Sequence, residues 1–193
     1  MTAKNSLFIL LLGLIYLLLQ GCAAAVVGGA ATGATIGHDR RTTGTFIEDQ
    51  SIEIKALKRL YDDKEILGHT HMRVTSFNRQ VLITGEAPQA RLQAKATELV
   101  SGIDNVRHVY NEVLLAAPTS LLSRTNDTYL GLKVKSSYLI QKGLDPTRVK
   151  VVAQNGTLFL MGLLTQQEAE LATDIARRTK GVQRVVPLYE HLD

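Results

Sequence analysis

Apolar and polar positions follow the same order twice along the chain. Ile52, Ala56 and Leu60 recur at helical spacing and predict a helix from about Asp49 to Glu65. The stretch from His71 to Asn78 and the run from Gln80 to Gly85 then predict two strands. A second helix follows from about Gln89 to Ser101, and a third strand from Asn105 to Leu115. The order then repeats. Leu130, Val134 and Tyr138 place a helix over Asp127 to Lys142, followed by strands over Arg148 to Asn155 and Thr157 to Gly162, a helix over Gln166 to Thr179, and a strand from Val182 to Leu192. Asn78 matches Asn155, Gly85 matches Gly162, and Val106-x-x-Val109 matches Val182-x-x-Val185. Asn155-Gly156 suits a type I′ hairpin turn, which needs two residues tolerant of positive φ; Asn78-Arg79 is the weaker counterpart. Thr165-x-x-Glu168 forms a capping box. The expected fold is α+β: two tandem αββαβ sandwiches, each a small three-stranded mixed sheet with two helices on one face. Units of about 65 residues hold marginal cores, so a modest interface between them is expected.

The N-terminus has a different pattern. Lys4 precedes Leu7 to Leu19, an uninterrupted apolar run. That run suits the central segment of a signal peptide and is short for a spanning helix, which needs roughly 20 residues. Leu19-Gln20-Gly21-Cys22 follows and resembles the bacterial lipobox, whose cysteine is acylated and becomes the first mature residue. Ala23 stands where an inner-membrane retention signal often places Asp, which by resemblance implies the periplasmic side of a Gram-negative outer membrane. Residues 1–21 then read as signal peptide and 22–45, rich in Gly, Ala and Thr, as a flexible tether. His38-Asp39-Arg40-Arg41 reads as a solvated charge run. Units at 46–116 and 126–193 follow, joined by a linker at 117–125.

The hairpin at Val149 to Gly162, the helix after it and Gly181-Val182-Gln183-Arg184-Val185 resemble the BON domain. Met72 to Gly85 with Asn105 to Val109 carries the pattern again, without the turn glycine. A lipobox, a tether and two such units resemble the dual-BON lipoproteins of the outer membrane. The resemblance implies anionic phospholipid binding (phosphatidylglycerol-like or cardiolipin-like) through the second unit, a role in envelope integrity, and enrichment at the division site.

Composition narrows the chemistry. Trp is absent and aromatics are 5%, which argues against a large aromatic-lined pocket. A single cysteine excludes an internal disulfide framework and a CxxC site. The net charge of +4, or +3 once Lys4 is removed with the signal peptide, is thin for nucleic acid. No GxSxG context or paired carboxylates point to catalysis, so an enzyme is not expected and no catalytic residue is assigned. His69-x-His71 lacks further ligands and is read as surface, with no metal or other cofactor; Gly131 and Gly28-Gly29 lack the setting of a phosphate loop.

The predicted helix from Asp127 to Lys142 has a second apolar stripe. Tyr129, Leu132, Leu139 and Ile140 fall away from the inner stripe, with Ser136 between the two and Lys133 at the edge. The segment from Asn126 to Lys142 carries net +2, whereas Asp49 to Glu65 carries net −1 with the more polar outer set Ser51, Ile54, Lys58, Tyr61 and Asp62. An apolar stripe edged by lysines suits an anionic bilayer surface. The expected lipid-binding set is Tyr129, Leu130, Leu132, Lys133, Lys135, Ser136, Leu139 and Ile140, with Cys22 as the lipidation site. Two other occupants remain open for the stripe. One is the neighbouring unit; the other is an envelope or outer-membrane assembly protein for which the chain would be an adaptor.

Overall fold

The computed structural model describes residues 39–117 and 121–192, with side chains from residue 125 in the second stretch. The signal peptide, Cys22 and the tether up to residue 38 lie outside the described residues. From Arg40 on the chain is one compact unit. It carries helix α1 (Thr43–Asp62), α2 (Lys64–His69), β1 (His71–Phe77), β2 (Gln80–Ala87), α3 (Ala90–Ser101) and β3 (His108–Leu115). Helix α4 (Leu121–Leu139), a 3₁₀ turn (Pro146–Arg148), β4 (Lys150–Gln154), β5 (Thr157–Leu164), α5 (Gln166–Arg178) and β6 (Arg184–His191) complete it. The fragment beginning at Asp39 therefore contains every described element and all three apolar clusters.

Several boundaries differ from the sequence pattern, each for a local reason. Helix α1 opens at Thr43, inside the stretch expected as tether, because Thr42 Oγ1 accepts the Thr45 N–H at 3.1 Å. The expected single helix to Glu65 is two helices. Asp63 is extended and its carboxylate caps the N–H groups of Glu65 and Ile66, so it stops one helix and starts the next. Helix α4 begins at Leu121, within the expected linker, and ends at Leu139 rather than Lys142, with Gly143 at φ 88° beyond it.

Each sheet is three-stranded and mixed, in the orders β1-β2-β3 and β4-β5-β6, with an antiparallel hairpin and then a parallel crossover through a helix. Both hairpin turns put two residues at positive φ: Asn78 and Arg79 at 49° and 64°, Asn155 and Gly156 at 47° and 72°. The matched glycines serve close backbone approach. A Cβ at Gly85 would lie 1.9 Å from the His71 carbonyl oxygen, and one at Gly162 would lie 2.6 Å from that of Arg148.

The two helix-facing cores follow the predicted stripes. Ile52, Ala56 and Leu60 of α1 meet Val74, Val81 and Ile83 of the sheet and Leu92, Ala96 and Val100 of α3. Leu130, Val134 and Tyr138 of α4 meet Leu158 and Leu160 of β5 and Ala172 and Ala176 of α5. A third cluster joins the units. Phe77 and Leu82 of the first sheet pack on Phe159 and Met161 of the second, so the helix-free faces of the sheets close on each other. Polar contacts rim this seam: Lys150 Nζ lies 2.8 Å from Glu53 Oε1, Arg107 lies 2.8 Å from Glu190, and Gln154 and Asn155 donate to buried Glu86.

Candidate functional site

Helix α4 receives its orientation from below. Leu130, Val134 and Tyr138 point into the second core, where the Tyr138 hydroxyl donates to the Ala172 carbonyl at 3.0 Å. Burial pushes that phenol's pKa far up, with a small further push from Tyr189. Asp127, buried in the same helix, accepts the backbone N–H groups of Asn155 at 2.8 Å and Gly156 at 3.0 Å, pinning α4 to the hairpin turn.

With that face fixed, the second stripe points outward. Tyr129 is 64% exposed, Leu132 61%, Leu139 71% and Ile140 86%. The two units meet through their sheets, so the stripe does not cover the other unit. Ile140 sits one residue past the end of α4 and extends the exposed apolar line beyond the helix.

The remaining expected residues are placed as follows. Leu130 is a correction. At 3% exposed it belongs to the core, because its stripe is the one facing the sheet, and it is closed to any surface ligand. Lys133 is half-buried and donates to the Lys180 carbonyl at 2.8 Å, whereas Lys135 is exposed. The exposed Ser136 hydroxyl donates back to the Leu132 carbonyl at 2.9 Å.

Arg40 and Arg41 do not form a solvated run. Arg40 makes a two-pronged pair with Glu168, at 2.6 and 3.0 Å, and donates to the Leu163 carbonyl. The Arg41 side chain, 7% exposed, pairs with Asp49 at 2.7 Å and stacks over the Phe77 ring. Burial alone would raise the Glu168 pKa; Arg40, the Thr165 N–H, Arg148 and the Thr165 hydroxyl outweigh it and bring it to about 2.

The first unit is less polar on its outer face than its composition implies. Ile47, Ile54 and Tyr61 are all exposed along α1 at seven-residue intervals. What separates the two helices is charge, since α1 interleaves this line with acids and with the Lys58–Asp62 pair.

His69 Nδ1 lies 3.0 Å from the Glu65 carbonyl oxygen of its own helix. Among the described residues no group of three or more His, Cys, Asp or Glu converges as a metal site, and no described helix is long and apolar enough to cross a membrane. An open cavity of about 700 Å³ runs between α5 and β6, past Thr173 and Tyr189. Its charged side chains, Glu170, Asp174 and Arg177, concentrate no single sign.

A smaller groove, about 280 Å³, opens beside Leu132 and was not anticipated from the sequence. Lys135 and Thr128 of α4, Lys150 of β4, and Arg73 and Thr75 of β1 line it. Arg73 and Lys135 stand 62 positions apart in different repeats, so no local pattern links them.

The BON domain family model matches residues 48–117 and 126–188. The outer membrane lipoprotein DolP of Haemophilus influenzae is 37% identical over 175 residues, covering 91% of each chain. A 21 kDa hemolysin of Actinobacillus pleuropneumoniae is 28% identical over 154 residues, 80% of this chain and 79% of that one. Among solved structures, the C-terminal domain of CdsD, a structural protein of the Chlamydia trachomatis type III secretion system, aligns at 16% identity over 75% of this chain and 67% of that one, with a TM-score of 0.30 that bears no weight.

Proposed function

Because the chain belongs to the BON-domain family, among the outer-membrane lipoproteins that resemble DolP, we propose that it binds anionic phospholipid through α4 while an acyl group on Cys22 holds it to the periplasmic face of the outer membrane. The observation that carries this reading is the outward stripe of Tyr129, Leu132, Leu139 and, just past the helix end, Ile140, edged by Lys133 and Lys135, on a helix whose other face packs into the core.

Half-burying four such apolar side chains contributes roughly 3–5 kcal/mol. Each lysine near an anionic surface adds about 1 kcal/mol. Immobilising the protein costs at least about 4 kcal/mol. The soluble fragment therefore binds weakly, and the anchor raises the effective concentration enough for weak contacts to orient it. The anchor supplies residence and α4 supplies selectivity for phosphatidylglycerol- or cardiolipin-like lipid. Support of outer-membrane integrity, including at the division site, would follow from that selectivity.

The test is vesicle binding by the fragment from Asp39. Tyr129→Glu and Leu132→Glu abolish binding to phosphatidylglycerol vesicles while circular dichroism stays native. Unchanged binding by the folded variants overturns the reading.

An adaptor role is the second reading, and the exposed line Ile47, Ile54, Tyr61 on α1 favours it. Photocrosslinking at Tyr129 in cells separates the two: one dominant protein adduct without lipid-dependent signal supports docking on an envelope or assembly partner.

A further inference from the structure

The groove beside Leu132 is built across the seam between the two units. β4 gives one wall with Lys150, α4 gives Thr128, Leu132 and Lys135, and β1 of the first unit brings Arg73 and Thr75. The groove exists in this form only while the sheets are packed together. Its volume lies near the low end for small-molecule sites.

The charge balance inside it is uneven. One acid, Asp127, lines the groove itself and a second, Glu53, reaches its Lys150; both are engaged. Asp127 turns its carboxylate to the Asn155 and Gly156 N–H groups. Glu53 takes Lys150 Nζ and the Ser76 N–H, each at 2.8 Å. Arg73 and Lys135 are exposed, and neither has a hydrogen-bond or ion-pair partner among the described residues. Two exposed, unpaired cations that two different elements bring to one groove give that space a positive potential, which favours an anion there. The Thr75 side chain lines the same space and carries a hydroxyl suited to an oxyanion.

Gly131 gives an independent sign that this space is kept open. It lies inside α4, where glycine costs about 1 kcal/mol relative to alanine. No backbone constraint demands it: its φ is not positive, and an added Cβ would meet only Ala153 Cβ at an ordinary 3.9 Å. Gly131 lines the groove, so a longer side chain there would fill it.

We infer that this groove is a phosphate site, which takes the phosphate of an anionic glycerophospholipid head group between Arg73 of the first unit and Lys135 of α4. The inference rests on the lipid-binding reading of α4 and supplies the head-group half of that site. Leu132 belongs both to the groove and to the exposed stripe, so a phosphate held here leaves its acyl chains beside Leu132 and Tyr129. Selectivity follows from charge. A choline or ethanolamine head group would bring a second cation to Arg73 and Lys135, whereas a glycerol head group brings none.

The experiment uses the fragment from Asp39 with phosphatidylcholine vesicles, with and without phosphatidylglycerol. Arg73→Ala removes the charge and Gly131→Met fills the groove at constant charge. Arg91→Ala, on α3, controls for net charge, and Tyr129→Glu tests the stripe. Arg73→Ala and Gly131→Met are expected to weaken binding to phosphatidylglycerol vesicles about fivefold relative to the control, with native circular dichroism. If both bind like Arg91→Ala, the groove is not a phosphate site, even where Tyr129→Glu loses binding and the stripe reading stands. A titration with sn-glycerol 3-phosphate, followed by NMR shifts at Arg73 and Lys135, identifies the source. Saturable shifts blocked by Gly131→Met, together with normal vesicle binding by Tyr129→Glu, would assign the groove to a soluble phosphate ester and overturn the head-group inference along with the lipid reading.

Discussion

Asp49 and Asp127 perform one task in two places. Each is the seventh residue of a long helix, and each carboxylate accepts two successive N–H groups of the hairpin turn beneath it. Ser76 adds a third bond to Asp49, from its hydroxyl at 2.7 Å. These N–H groups have no strand partner at the turn, so the aspartates satisfy donors that would otherwise be buried and unpaired. Asp127→Ala is expected to cost about 2–3 kcal/mol of unfolding free energy in urea, without changing the exposed stripe. The Asn155-Gly156 turn was legible because its residue types demand positive φ. Asn78-Arg79 takes the same geometry without glycine, and Arg79 holds φ 64° with its side-chain Nε buried and lacking a hydrogen-bond partner. The duplicated aspartate had no local signature, since its partners lie 28 to 30 residues downstream.

Among the elements, α4 and α5 differ in how their ends are set. The capping box at the start of α5 was readable from Thr165 and Glu168 three positions apart, and both halves of it form. The arginines that join Glu168 were not, because Arg40 reaches it from 128 positions upstream. Their effect on acid stability has a definite sign. Glu168 has a folded pKa of about 2, below its ordinary value of 4.5, so its contribution is present above about pH 4.5 and is lost as pH falls toward 2. Glu168→Gln is expected to flatten the loss of stability between those values, followed by denaturant titration at each pH. In α4, helical periodicity located both stripes and put Leu130 on the inner one with Val134 and Tyr138, so its inclusion in the lipid-facing set went against that pattern, and the core bears the pattern out. The helix starts escaped notice. Thr42 and Asp63 act through local side-chain caps, one N–H for Thr42 and two for Asp63, that composition does not reveal.

On the scale of the whole molecule, the decisive feature is the meeting of two sheet faces. β2 and β5 are buried on both sides, and their near-continuous apolar runs, QVLITG and TLFLMG, are what doubly covered strands require. That signal lay in the sequence. It did not say what covered the second face, because two sheets packing about 10 Å apart leave no mark on either repeat alone. Each unit uses the other as its second layer, so their stabilities are coupled. Leu82→Glu, which places a charge in the shared cluster, should destabilise the molecule by at least about 3 kcal/mol. Hydrogen exchange should then quicken in β5 as well as in β2. Protection retained in β5 would show that the units stand independently.

The grip of Arg40 on Glu168 also has a mechanical consequence. Arg40 and Arg41 are neighbours in the chain, yet one clasps the second repeat and the other the first. Tension arriving from upstream is therefore shared between the two repeats where it enters the fold. It enters both repeats at once, so they carry load side by side rather than one after the other.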